Sequence, residues 1–165
     1  MKVLLPISDE LFGEALSRFT QKHNWPEGTE IKLINVIAPL ERQPGRTKEE
    51  KEKVFQNERI HFGRVLSRIQ TRMQRKRPDL IVSYDILVGT PTAEILSLAE
   101  NWQPSMIVMG SHGRTGLERM ILGSVSFYIA SHAPCSFTIV KIPDSEILDI
   151  ELDESDLPNE MKTYV

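Results

Sequence analysis

The chain predicts an α/β domain: an open, mostly parallel, doubly wound sheet of five strands with helices on both faces. Five short apolar runs alternate with four segments of helical periodicity across about residues 1–142. Such alternation joins the strands by right-handed crossovers, which make neighbouring strands parallel. The fourth apolar run ends in the glycine segment Gly110-Ser111-His112-Gly113, beyond the carboxyl end of a strand, where sheets of this kind hold ligands.

Residues 2–7 (Lys-Val-Leu-Leu-Pro-Ile) read as a buried strand, with Pro6 near its end, where a missing N–H is tolerated. Ser8 or Asp9 can cap the next helix, in which Leu11, Phe12, Ala15, Leu16 and Phe19 recur at helical spacing. A turn at residues 24–28 leads to a second strand, 30–37, ended by Pro39. The polar stretch 40–50, with Pro44 and Gly45, is expected as a mobile loop. From about Glu49 to Arg75 the pattern is helical, with a break expected near its start because of its length. Val54, Phe55, Phe62, Val65, Leu66, Ile69 and Met73 line one side. Arg64, Arg68 and Arg72 fall on another and are expected as a solvated face. The third strand, Leu80 to Val88, ends at Gly89, and Thr90-Pro91 supplies a cap and first-turn proline for a helix through Glu100. Met106 to Met109 is the fourth strand, 124–132 the last helix, and 136–142, after Pro134, the fifth strand.

In the glycine segment, Gly110 and Gly113 are separated by two residues, and nine more, 114–122, precede Gly123-Ser124. Glycines let a backbone approach a ligand closely, and a helix starting at Ser124 presents free N–H groups to an anion. The pattern is that of a phosphate site without a Walker lysine. The ends of strands one, two and four, at Pro6-Ile7-Ser8-Asp9, Asn35-Val36-Ile37 and Gly110, are expected to converge there.

Bulk properties narrow the classes. A length of 165 residues suits one domain able to bury a core without staples. No apolar run approaches the roughly 20 residues of a membrane helix, and the first residues do not read as a signal peptide. The single Cys135 cannot form an intramolecular disulfide, which fits a reducing, cytoplasmic location. It is expected as a small buried hydrophobe. The net charge of −3 divides into +4 over residues 1–143 and −7 over the remainder, where eight acids face Lys162 alone. Residues 143–165 are therefore expected as an acidic, flexible tail. No aromatic residues interleave with the local arginines, so nucleic acid is not an expected partner, and without a long apolar run neither is a membrane.

On these residues the chain resembles the universal stress protein family. The Gly110-x-x-Gly113-(nine residues)-Gly123-Ser124 spacing matches that family's ATP-binding signature. The likeness covers about residues 1–142, including Lys-Val-Leu-Leu-Pro at the start, Val88-Gly89-Thr90-Pro91, and His132-Ala133-Pro134-Cys135. The resemblance implies a Rossmann-like sheet of strand order 3-2-1-4-5 and a homodimer paired through the last strand, 136–142. It also implies a bound nucleotide, ATP or AMP, with any Mg or Mn ion held through the phosphates. Gly110, Gly113, Gly123, Ser124 and Ser126 would hold ribose and phosphates, with Val125 between them. Val36 would pack by the adenine, and Pro6, Ile7 and Ser8 would line the pocket, flanked by Met109, His112 and Arg114.

One departure stands out. ATP binders of the family usually carry an Asp two residues after the position of Pro6, where this chain has Ser8. Losing a charge-assisted hydrogen bond costs about 1.5–3 kcal/mol, roughly one to two decades in affinity. A one-residue shift of the loop would put Asp9 in that role. No nucleophile is paired with a base and no lysine sits at the phosphate loop, so any ATPase activity is expected to be weak. The expected function is stress-response regulation through nucleotide occupancy. The rival is a dimeric interaction module with a vestigial site. Hydrolases and pyrophosphatases of related fold carry a Ser-Gly-Gly-x-Asp-like loop after the first strand, which Pro6-Ile7-Ser8-Asp9-Glu10 does not supply.

Overall fold

In a computed structural model, which describes residues 1–110 and 123–141, five parallel strands form one sheet in the order β3-β2-β1-β4-β5. The strands are β1 (Lys2–Pro6), β2 (Glu30–Ile37), β3 (Ile81–Val88), β4 (Met106–Gly110) and β5 (Ser136–Val140). Helices α1 (Glu10–Lys22), α2 (Lys48–Lys76), α3 (Pro91–Trp102) and α4 (Ser124–His132) connect them. His112, Gly113, Arg114 and the acidic tail lie outside the described residues.

Side-chain alternation along the strands builds two cores. Val3 and Leu5 of β1, with Ile31 and Leu33 of β2, meet Leu16 of α1 and Val65, Leu66, Ile69 and Met73 of α2. Leu4, Ile34 and Ile107, of opposite strand parity, meet Ile95 and Ala99 of α3 and Ile129 of α4. Because strand side chains point alternately to either face, continuous apolar runs such as Val3-Leu4-Leu5 can feed both layers. Each fully buried Leu or Ile contributes roughly 1.5–3 kcal/mol. Cys135 packs against the second core and is partly buried; burial pushes its thiol pKa up, as for a small hydrophobe.

Helix starts follow from local chemistry. The Asp9 carboxylate accepts the Phe12 N–H at 3.0 Å and caps α1. Thr47 and Glu50 form a reciprocal capping box on α2. That cap begins a continuous helix of 29 residues, so the expected break near its start is absent. The stretch 40–50 is also more ordered than a mobile loop. Leu40–Arg42 form a 3-10 turn, and buried Gln43 donates from Nε2 to the Ala38 carbonyl and to Glu58. At the β3–α3 turn Gly89 adopts φ +158°, and the Glu94 carboxylate folds back where a side chain on Gly89 would stand.

The arginine row on α2 is not wholly solvated, as its spacing suggested. Arg68 pairs with Glu10 and Arg72 with Glu14, both across the α1–α2 contact, and Glu14 is 1% exposed. Burial pushes the Glu14 carboxyl pKa above its ordinary value, against the opposing pull of Arg72 and Arg68. The fifth strand ends at Val140, short of the expected 142.

Candidate functional site

The strand order reverses between β1 and β4, whose crossovers leave on opposite faces of the sheet. β1 pairs with β2 from Lys2 to Pro6, but with β4 only at Val3↔Met106 and Leu4↔Ile107. Past Leu4 the ladder between β1 and β4 has ended, and a crevice opens at the carboxyl ends of the strands. A cavity of about 390 Å³ occupies it, within the size range of small-molecule sites.

Three walls form the cavity. The end of β1 supplies Pro6, Ile7 and Ser8; β2 supplies Ile34, Asn35 and Val36; Met109 and Gly110 of β4 face Gly123, Ser124, Val125 and Ser126 at the start of α4. Phe12 and Leu16 of α1, with Pro91 and Ile95 of α3, complete it. Of the residues singled out in sequence, ten are brought together here: Pro6, Ile7, Ser8, Val36, Met109, Gly110, Gly123, Ser124, Val125 and Ser126.

Asp9 is the exception among the described candidates, and it does not line the cavity. Its Oδ1 caps α1, and its Oδ2 accepts a hydrogen bond from Ser8 Oγ at 3.2 Å. A loop shift that carried Asp9 to the position of Ser8 would break the cap. The carboxylate is thus committed to the helix start, and exposed Ser8 keeps the cavity lip.

Of the remaining wall residues, Phe12, Leu16, Ile34, Pro91 and Ile95 were not expected at the site from the sequence, and Asn35 was expected there only as part of the end of β2. Phe12, Leu16, Ile34 and Ile95 carry the periodicity of ordinary core residues, so nothing in their spacing marks a site. Asn35 did carry a signal: it is the one polar side chain in the apolar run Leu33 to Ile37. It is 4% exposed, and its Nδ2 donates to the Ile7 carbonyl at 2.8 Å, tying the end of β1 to β2. The Ile7 N–H donates in turn to the Ile34 carbonyl at 2.7 Å.

The two ends of the cavity differ chemically. Ile34 and Val36 of β2 with Ile95 of α3 make one apolar lining, suited to a flat ring, and Ile7, Phe12 and Leu16 make another on the α1 side of the sheet. At the opposite end, α4 starts from Gly123, which has no side chain with which to take up the first-turn N–H groups. An anion placed there meets the positive end of the helix dipole and the hydroxyls of Ser124 and buried Ser126. Among the described residues, no group of three or more His, Cys, Asp or Glu is placed to hold a metal ion.

Known proteins share sequence or fold with this chain. Universal stress protein MJ0531 of Methanocaldococcus jannaschii is 44% identical over 62 residues, which is 38% of this chain and 36% of that protein. Universal stress protein Sll1388 of Synechocystis is 36% identical over 74 residues, 44% of this chain and 48% of that one. The chain thus matches less than half the length of either relative. Among solved structures, hypothetical protein MJ0577 superposes with a TM-score of 0.73 at 23% identity, covering 87% of this chain and 96% of its own. A family protein from Arabidopsis thaliana, At3g01520, solved with AMP bound, superposes at 0.59 with 17% identity, covering 88% and 94%. One from Archaeoglobus fulgidus in complex with dAMP superposes at 0.58 with 17% identity, covering 86% and 98%. At these identities the superpositions speak for the Rossmann-like fold. The sequence profile of the universal stress protein family matches residues 1–141, and the chain belongs to that family.

Proposed function

We propose that this chain binds an adenine nucleotide, AMP or ATP, and serves as a nucleotide-dependent regulator in the stress response rather than as a strong catalyst. The carrying observation is the crevice between β1 and β4, which joins an apolar wall at β2 to the start of α4, where no described side chain caps the helix. Gly110, Gly123, Ser124 and Ser126 hold the phosphates and ribose in this reading, and Val36, Ile34 and Ile95 flank the base. Nucleotides in the solved relatives from Arabidopsis and Archaeoglobus support the ligand class. His112, Gly113 and Arg114 enter on the glycine spacing alone. No charged side chain of the described wall replaces the acid that Ser8 lacks, so affinity is expected in the micromolar range or weaker.

Extraction of small molecules from the purified protein, followed by calorimetry with AMP and ATP, tests this reading. Co-purified adenine nucleotide, or saturable binding with a rise in melting temperature, is the expected result. No binding and no thermal shift at millimolar nucleotide would overturn it in favour of a vestigial site. Ser126→Leu, which puts a larger side chain into the cavity wall, should weaken AMP at least about tenfold.

The same reading includes a homodimer through β5. β5 is an outer strand of the sheet, and neighbouring α4 exposes Phe127 at 62% and Tyr128 at 45%. An edge that no described strand pairs, beside apolar side chains, favours a second copy. Sedimentation as a dimer at micromolar concentration is expected, and a monomer there would refute that part. A cytoplasmic location fits the lone Cys135; among the described residues no helix is long and apolar enough to cross a membrane.

A further inference from the structure

The two halves of α2 differ in charge. Its first half is balanced, with Lys48, Lys51, Lys53 and Arg59 set against Glu49, Glu50, Glu52 and Glu58. Its second half carries Arg64, Arg68, Arg72, Arg75 and Lys76 and no acid. Arg64, Arg68, Arg72 and Lys76 recur every four residues, a spacing at which like charges on a helix repel. α1 answers with two carboxylates, Glu10 on Arg68 and Glu14 on Arg72. It also brings Arg18 and Lys22, so it adds no net charge. α1 and α2 together keep an excess of five positive charges, which accounts for the whole +4 of residues 1–143. Lys22, Arg64, Arg75 and Lys76 are exposed on these helices.

The opposite charge lies in residues 144–165, at −7. Ile147, Leu148, Ile150 and Leu152 stand among those acids, and a merely solvating segment has no use for them. The described chain leaves the sheet at the end of β5, where Val140 packs against Phe12 and Ala15 of α1. One helix, α1, thus separates the end of β5 from the arginine row. Packed helices lie about 8–10 Å apart, so the row stands roughly 20 Å from Val140, a distance that about seven extended residues span. Asp149 and the acids after it can reach it.

We propose that the second half of α2 is a docking surface for the acidic segment of the same chain, with Asp149, Glu151, Asp153, Glu154 and Asp156 set against the arginine row. This stands apart from the nucleotide reading. Five acids match five bases, and the pairing relieves the repulsion that Glu10 and Glu14 relieve only in part. Because the contact lies at the surface, salt weakens it. An acidic partner from outside meets this face only by displacing the segment.

Backbone amide order parameters of the full chain test the docking. For residues 149–156 they should stand above about 0.6 at low ionic strength. They should fall below that in about 0.5 M NaCl, where the Debye length is about 4 Å. Arg64→Gln with Arg75→Gln should bring the same loss at low ionic strength. Lys48→Gln with Lys53→Gln, in the balanced half of the helix, should leave the order intact. A segment that tumbles independently at low salt would overturn the proposal, and so would equal effects of the two double variants. Should the arginine variant not fold, Glu151→Gln with Asp153→Asn and Glu154→Gln decides, and an ordered segment there would overturn the assignment. Carbodiimide coupling, on unlabelled and isotope-labelled chains refolded together, identifies the chain that supplies the acids. Peptides joining Lys76 to residues 149–156 should be wholly light or wholly heavy; mixed peptides would refute docking within one chain.

Discussion

A Cβ added at Gly13 would lie 2.7 Å from Ile69 Cδ1 and 2.9 Å from Ile7 Cγ2, whereas one added at Gly63 meets only Ile86 Cδ1, at 3.8 Å. Both glycines sit inside helices, Gly13 in α1 and Gly63 in α2. Gly→Ala in a helix interior gains about 1 kcal/mol from backbone propensity alone. At Gly63 nothing opposes that gain, because 3.8 Å is ordinary van der Waals contact. At Gly13 the new methyl must displace neighbours that are 0% and 3% exposed. The Ile69 methyl is the end of a flexible chain, but the Ile7 methyl branches at Cβ and is stiff. Overpacking of this kind costs typically 1–3 kcal/mol. Taking about 2 kcal/mol against the gain of about 1, Gly13→Ala should destabilise by about 1 kcal/mol while Gly63→Ala stabilises by up to about 1. For a chain of this size each kcal/mol moves the melting temperature by roughly 2–4 °C. Urea unfolding followed by circular dichroism, with unchanged slopes, would read both values. Equal stabilisation by the two substitutions would refute the close packing of α1 on β1 and α2.

Further outcomes follow from the caps and the buried charge. Asp9→Ala should cost about 1 kcal/mol by removing the α1 cap, and Asp9→Asn should restore most of it, because asparagine caps equally well; equal loss in both would show that the carboxylate does something other than cap. Stability against pH should bend in opposite senses at two glutamates. The backbone N–H groups of Thr47 and Arg46 hold the Glu50 carboxyl below its ordinary value. Its contribution is therefore complete above about pH 4.5 and fades as pH falls through the lowered folded value. The Glu14 carboxyl is raised by burial, so its penalty is complete above the raised folded value and is relieved as pH falls toward about 4.5. In unfolding free energy measured between pH 3 and 7, Glu50→Gln should reduce the loss on acidification and Glu14→Gln should increase it; the same sign of change in both would refute the assignment.

Much of the fold could be read from local pattern because each element carries its own instruction. Val3-Leu4-Leu5, the helical recurrence of Val65, Leu66, Ile69 and Met73, and Thr90-Pro91 before α3 act within a few residues of themselves. The loop between β2 and α2 was less legible. Its order comes from Gln43 reaching Glu58 and from a cap whose hydrogen bonds look like any polar cluster in sequence.

By itself, the sequence determined the α/β alternation, the parallel sheet and the convergence of Pro6-Ile7-Ser8, Val36 and Gly123 to Ser126 on one crevice. Periodicity and glycine spacing are properties of neighbouring residues, and right-handed crossovers leave few topologies to choose from. Tertiary structure alone decided that Asp9 belongs to a helix cap and Ser8 to the lip. It also turned Arg68 and Arg72 from a solvated row into partners of Glu10 and Glu14, 58 residues away. Asn35 likewise acquired meaning only when its amide met the carbonyl of Ile7, 28 residues earlier, and tied the end of β1 to β2. Such pairings form between segments distant in the chain, and composition and spacing carry no record of which side chains will meet.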